Sequence, residues 1–254
     1  MRSYAMGDIH GHYEALLGAH ALIAADRAAY PEAAGTCAPI IHLGDLIDRG
    51  PASNEVVEHL MRGQAEGAPW VVLRGNHDRL LEIFLRDPMA LDPEAKSGLH
   101  WLHPRLGGGA TLASYGLHAP SDRPVAQVHA EALVAIPEAH RRYLRDLPLY
   151  YERGGAIFAH AGIRPHVAMG VQNEDDLLWI RDGFLDFRGD FGALIVHGHT
   201  ALDHATHYGN RLNLDSGAGY GRPLSVVVIE GGQVFLLTPE GRKPITVTPD
   251  APIR

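Results

Sequence analysis

The spacing of apolar positions alternates along the first third of the chain. Tyr4-Ala5-Met6 is a short unbroken apolar run and predicts a strand. Tyr13, Leu16, Leu17, Ile23 and Ala24 follow at helical spacing. The pair of signals then recurs twice. Pro39-Ile40-Ile41-His42-Leu43 predicts a second strand, and Val56, Val57, Leu60 and Met61 a second helix. Trp70-Val71-Val72-Leu73 predicts a third strand, and Leu80, Leu81, Phe84 and Leu85 a third helix. Such alternation argues for βαβ units and a largely parallel sheet.

The pattern lapses from 88 to 124, where prolines and Gly107-Gly108-Gly109 interrupt it. Helical spacing returns from 125 to 147. Residues 88–147 are therefore expected to form a partly helical insertion or cap on one domain spanning 1–254. The glycine triplet lacks the lysine and the strand–loop–helix setting of a P-loop, so it predicts a flexible turn. The last third reads as β-rich. Strands are expected at Ala156-Ile157-Phe158-Ala159, Ala193-Leu194-Ile195-Val196, Arg211-Leu212-Asn213-Leu214, 224–229 and 233–237. Gly231-Gly232 signals a hairpin between the last two. The polar tail from Pro239 is expected to be loosely held.

Five of these strands end in a polar, glycine-flanked motif. They are Gly7-Asp8-Ile9-His10-Gly11, Gly44-Asp45-Leu46-Ile47-Asp48-Arg49-Gly50, Arg74-Gly75-Asn76-His77-Asp78, His160-Ala161-Gly162 and His197-Gly198-His199-Thr200. Ligands of open α/β sheets bind beyond the carboxyl ends of the strands, so five such ends can converge on one point. One Asp or His at a strand end is usually a turn or cap residue; the ordered set is what points to a site. Aspartate, asparagine and histidine without thiolate suit Mn²⁺, Fe or Zn²⁺. One carboxylate can bridge two cations, and Asp45 in the central motif is the natural candidate.

Composition narrows the class. The 254 residues, 46% of them hydrophobic, fit one large domain with a buried core. A net charge of −8 argues against a nucleic-acid-binding surface. Cys37 is the single cysteine, which excludes an intramolecular disulfide and fits a reducing compartment. The N-terminus lacks a signal-peptide pattern, and no apolar run approaches the roughly 20 residues that span a bilayer. The expectation is a cytoplasmic protein with no membrane or nucleic-acid partner; the oligomeric state is left open. Of the 17 histidines, His20 and His42 are expected to be structural. Trp101 and Tyr115 are expected to pack rather than contact substrate.

The order GDIHG, GDLIDRG, GNHD, HAG and GHT resembles the calcineurin-like metallophosphoesterases, over Gly7 to Thr200. The Asp48-Arg49-Gly50 step makes it most similar to their phosphoprotein-phosphatase branch, specifically the small bacterial serine/threonine phosphatases. The resemblance implies an α/β fold with a central β-sandwich of mixed sheets flanked by helices. It implies two divalent ions, Mn²⁺ first with Fe or Zn as alternatives. Asp8, His10 and Asp45 would hold one, and Asp45, Asn76, His160 and His199 the other. His77 would protonate the leaving group, oriented by Asp48. Arg49 and Arg181 would bind substrate phosphate. Asp78 stands where the family more often has Glu, in a supporting position. His197 is not assigned a metal, because the family ligand lies just before the threonine. The implied activity is hydrolysis of phosphate monoesters in phosphoproteins or small phosphoesters, by direct attack of a metal-activated water. Symmetrical cleavage of diadenosine polyphosphates is the alternative, and a non-catalytic metal-binding protein the second.

Overall fold

The computed structural model describes residues 1–249 and 251, apart from 34, 96 and 119. Strands β1 (Arg2–Met6), β2 (Ile40–His42) and β3 (Trp70–Val72) pair in parallel, with Tyr4 opposite Ile40 and Ile40 opposite Trp70. Helices α1 (Tyr13–Ala29), α2 (Ser53–Ala65) and α3 (Asn76–Arg86) follow the three strands. Side chains alternate across a strand, and both faces of β1 are buried. Tyr4 and Met6 pack toward the helices with Leu16, Val56 and Leu60. Ala5 faces the other way, among Ile41, Phe158 and Leu212. Two buried faces explain why the strand reads as a continuous apolar run.

Residues 88–147 lie against the outer side of α2 and α3. They hold α4 (Gly108–Ser114), α5 (Val125–Ala135) and α6 (Glu138–Arg145). α4 packs on α2, α5 on α3, and α6 on both. Trp101, Leu112, Val128 and Leu144 extend the helix-side core into this layer. The glycine triplet is not a flexible turn: Gly107 sits at φ 91° and α4 begins at Gly108. Composition signalled a loop, but one left-handed residue is enough to redirect the chain into a helix.

The second sheet has the order β4-β5-β6-β8-β7. It comprises β4 (Tyr150–Arg153), β5 (Ala156–Ala159), β6 (Leu194–His197), β7 (Thr206–His207) and β8 (Arg211–Asn213). Helix α7 (Glu174–Trp179) lies between β5 and β6 in sequence, and its Leu177 covers the outer face with Ile157 and Ile195. The chain then returns to the first sheet as β9 (Val226–Glu230), β10 (Gln233–Thr238) and β11 (Gly241–Pro244). The order there is β11-β10-β9-β1-β2-β3, with β9 antiparallel to β1.

Both sheets are therefore mixed, as in the family's sandwich, rather than largely parallel as the strand–helix alternation predicts. That alternation reports only β1 to β3. Local spacing says nothing about which edge a later hairpin joins. The tail also departs from expectation: β11 pairs with β10, and Arg242 reaches Asp26 at 2.6 and 2.8 Å. Residues 252–254 lie outside the described part. Among the described residues, no helix is long and apolar enough to cross a membrane.

Candidate metal centre

Asp8, Asp45 and Asn76 lie just beyond the carboxyl ends of β1, β2 and β3. His160 and His199 lie just beyond β5 and β6 of the facing sheet. The two rows meet at the open end of the sandwich. Among the described residues, six non-glycine residues have positive φ: His10, Asp45, Asp48, Arg49, His166 and His199. All but His166 belong to the expected site. Left-handed backbone at such residues costs on the order of 1–3 kcal/mol each, and it concentrates where function requires it.

The histidine tautomers follow from the hydrogen bonds. His10 Nδ1 lies 2.9 Å from the Ile47 carbonyl and His160 Nδ1 lies 2.8 Å from the Leu43 carbonyl. Each Nδ1–H donates to its carbonyl, which leaves a lone pair on Nε2. A ligating imidazole fixed through its other nitrogen is the usual metal-site arrangement. Both lone pairs point at Asp45: His10 Nε2 is 3.5 Å from Oδ2, and His160 Nε2 is 3.4 Å from Oδ1. The same His160 Nε2 lies 2.8 Å from Asn76 Oδ1, which is also 2.8 Å from His199 Nδ1. His199 Nε2 is buried without a hydrogen-bond partner. Asp8 accepts the His199 N–H at 3.1 and 3.2 Å. That approach requires Gly198, where a Cβ would fall 2.0 Å from Asp8 Oδ1.

Electrostatics point the same way. Burial lowers His10, His160 and His199, favouring the neutral imidazole that can bind a cation. Burial, with Asp215 and Asp45 nearby, raises Asp8 well above the usual carboxylate range. Crowded carboxylates beside neutral imidazoles, with His199 Nε2 buried and unpartnered, form a donor set that fits divalent cations. Asp8, Asp45 and His160 converge closely enough to share one ion, as do His10, Asp45 and His77.

The surround takes the expected positions. His77 Nδ1 donates to Asp48 Oδ2 at 2.6 Å. Arg49 reaches His10 Nε2 at 2.6 Å and His77 Nε2 at 3.0 Å. Arg181 lines the cavity but directs Nη2 at the His199 carbonyl, 3.3 Å away. Asp78 stays outside the cluster and ties two motifs together, accepting from Gly75 N at 2.7 Å and Leu46 N at 3.1 Å. His197 spends its ring nitrogens on the Gly198 carbonyl and Arg211, at 3.1 and 3.3 Å. His20 and His42 lie elsewhere, in a chain with His59 beside Trp70.

Four neighbours lie outside the strand-end motifs. Asp215 is 5% exposed and lines the cavity, just after β8. Its Leu214-Asp215-Ser216-Gly217 setting repeats the strand-end pattern without a histidine to draw attention. Tyr220 packs on the Arg49 guanidinium, 4.8 Å from its ring centre. Trp101 and Thr111 both bond Asp48, so Trp101 does more than pack. The cavity over the cluster has a volume of ≈ 610 Å³ and adjoins a second of ≈ 700 Å³. Arg49, Ser97, Arg105, Leu106 and Tyr220 border both.

The chain is 26% identical over 204 residues to an asymmetrical bis(5'-nucleosyl)-tetraphosphatase of Anoxybacillus flavithermus, covering 73% of each. It is 27% identical to the enzyme of that name from Geobacillus thermodenitrificans, again over 73% of each. A crystal structure of a candidate diadenosine tetraphosphatase superposes with a TM-score of 0.62 at 22% identity, covering 96% of this chain and 94% of the other. A cold-active protein-tyrosine phosphatase of a Shewanella species gives 0.60 at 16% identity, covering 96% and 80%. Both structures share the fold. The calcineurin-like phosphoesterase family, whose enzymes work through a dinuclear metal centre, matches residues 1–228, and this chain belongs to it.

Proposed function

We propose that this chain hydrolyses phosphate esters and anhydrides at a dinuclear divalent-metal centre, with a dinucleoside polyphosphate as its substrate. The observation that carries the chemistry is Asp45, whose two oxygens face different imidazoles. Asp8, His10 and Asp45 would hold one ion, and Asp45, Asn76, His160 and His199 the other; Mn²⁺, Fe and Zn²⁺ all suit these donors. Bound ions would supply an activated water and polarise the phosphoryl oxygens.

The remaining work falls to the chain. Arg49 is placed to draw a phosphoryl oxygen between its two nitrogens, exchanging its contacts with His10 and His77 for substrate. Arg181 would add a second guanidinium at the His199 side. The activated water would attack phosphorus, losing a proton to solvent, as the bond to the leaving oxygen breaks and its electron pair departs on that oxygen. Once Arg49 has turned from Nε2 to the substrate, a proton carried on His77 Nε2 would pass to that oxygen. Asp48 holds Nδ1, so that only Nε2 faces the substrate.

The substrate reading rests on the two tetraphosphatase relatives and on the paired cavities. A dinucleoside polyphosphate has two bulky ends joined by a charged chain. Two cavities that meet at Arg49 and Arg105 suit that shape. A phosphoserine or phosphothreonine protein is the second reading, favoured by the Asp48-Arg49-Gly50 step. Protein loaded with Mn²⁺ is assayed on diadenosine tetraphosphate and on a phosphoserine peptide. The expected result is a higher kcat/KM on the dinucleotide, with ATP plus AMP as products; two ADP would mark symmetrical cleavage. A higher value on the peptide installs the second reading. Inertness toward both, and toward p-nitrophenyl phosphate, points to a non-catalytic metal binder.

A further inference from the structure

The Asp48 side chain is fully buried, and protein donors occupy both its oxygens. Oδ2 accepts His77 Nδ1–H at 2.6 Å and the Trp101 indole N–H at 2.9 Å. Oδ1 accepts the Thr111 hydroxyl at 2.7 Å. Thr111 Oγ1 in turn accepts the Asp48 N–H at 2.9 Å. Trp101 is 3% exposed and Thr111 is fully buried. Both come from residues 88–147, the part of the chain that supplies none of the metal-ligand candidates.

The backbone beneath is held by the same segment. Asp48 and Arg49 have φ of 74° and 68°, two successive left-handed residues. The Arg49 N–H donates to the Gly107 carbonyl at 3.2 Å. A Cβ at Gly107 would lie 2.5 Å from Arg49 N. Trp101, Gly107 and Thr111 therefore grip one strained dipeptide that carries both Asp48 and Arg49.

We propose that Trp101 and Thr111 are positioning residues for proton delivery by His77. The inference rests on His77 being the proton donor. A buried carboxylate with spare acceptor capacity can turn about its Cβ–Cγ bond and carry the imidazole with it. Trp101 and Thr111 take up that capacity and fix the carboxylate plane. Both donors are neutral. An arginine or lysine in their place would also fix the plane, but its charge-assisted bonds would compete with His77 for the carboxylate. The arrangement gives His77 a rigid anion and leaves its Nε2 as the mobile end. Arrangements of this kind, where supporting residues set the orientation of the acting group, govern how well that group works.

The test uses Trp101→Phe, which removes the indole donor, and Thr111→Val, which keeps the side-chain shape but removes the hydroxyl that donates to Asp48 Oδ1 and accepts its N–H, with Thr111→Ser restoring the hydroxyl. Full-length protein loaded with Mn²⁺ is assayed on phenyl phosphate, whose leaving oxygen needs a proton, and on p-nitrophenyl phosphate, which needs it far less. The His77 Nδ1–H resonance is followed by NMR in ¹⁵N-labelled protein without metal. We expect each variant to lose about tenfold or more on phenyl phosphate and under about threefold on p-nitrophenyl phosphate. The His77 resonance should shift and exchange faster, and Thr111→Ser should return both readings to wild type. Equal losses on the two substrates, or an unmoved His77 resonance, would overturn the inference. If Trp101→Phe does not fold, Thr111→Val and its serine rescue decide alone. His77→Asn serves as reference. If it too loses equally on both substrates, the reading of His77 as proton donor fails and the inference falls with it. If it discriminates but the variants do not, only the inference fails.

Discussion

The His77 backbone N–H donates to Asp45 Oδ1 at 2.9 Å, so the carboxylate proposed to bridge two ions also anchors the first turn of α3. A change at Asp45 thus reaches both the metals and the acid. Asp45→Asn keeps the size and an acceptor oxygen but removes the charge. Metal content should fall below two per chain, with affinity lost by more than the roughly 10–100-fold that outer contacts carry. Turnover should nearly vanish. Elemental analysis after gel filtration checks the first outcome, and two retained ions would contradict the bridging role.

His77→Asn separates acid from ligand. His77 lies within one of the two groups that converge closely enough to hold an ion, so the alternative is concrete. As an acid, His77 should leave both metals bound when replaced, while the rate drops by about 10²–10⁴. Loss of metal from this variant would assign His77 to the ligand shell instead.

The chain His59–His20–His42 should make the fold sensitive to acid. His42 Nδ1 lies 3.3 Å from the Val71 carbonyl, and His20 Nε2 lies 3.0 Å from His42 Nε2. His59 Nε2 lies 3.3 Å from His20 Nδ1. Each link uses one N–H and one lone pair, so a neutral chain fits and a proton on His20 or His42 sets two N–H groups face to face. Burial, with His59 and Arg27 nearby, lowers His20 to about 4; burial, with His20 nearby, lowers His42 to about 3. Below about pH 6.5 the unfolded chain takes up protons that the folded chain refuses. Their stability contribution is therefore full above that pH and is lost as pH falls toward 4. Each histidine accounts for about 1.4 kcal/mol per pH unit in that window. Urea unfolding of metal-free protein between pH 7 and 5 should show it, and His20→Phe should flatten the slope by about that amount.

Arg242 straps β11 to α1. It meets Asp26, whose side chain is 4% exposed, while Tyr4 donates its hydroxyl to the same carboxylate at 2.8 Å. Arg242→Ala should cost about 1.5–3 kcal/mol, the range for hydrogen bonds to charged groups. It lies at the far edge of the first sheet, so kcat should not change. A lowered midpoint with full activity is the expected pair of results; a lost activity would mean that the strap reaches the site.

The sequence made the site legible because each metal-ligand candidate closes a strand, and strand ends carry their own local signals. Asp8, Asp45, Asn76, His160 and His199 stand in glycine-flanked motifs at strand ends, while their division between two ions and the choice of His199 over His197 came from the family resemblance. Asp215 has the same placement, but its Leu214-Asp215-Ser216-Gly217 setting has no histidine, and nothing in the spacing singled it out. Trp101 and Thr111 were beyond reach for a different reason. They act on Asp48 from 53 and 63 residues away, and no spacing encodes that contact. The insertion of β9 beside β1 is equally non-local. The positive φ of Asp48 and Arg49 accompanies a backbone hydrogen bond from Arg49 to Gly107, a contact no local spacing encodes.

The site straddles a seam. Asp8, Asp45 and Asn76 ride on one sheet and His160, His199 and Asp215 on the other, while Phe158 and Leu212 fill the space between the sheets. Gripping an ion and seating the two sheets are therefore linked equilibria, and each must strengthen the other by the same free energy. Whatever binds both rows acts as a rivet through the sandwich. Trimming Phe158, two residues before His160, should lower the melting point and weaken the hold on metal together.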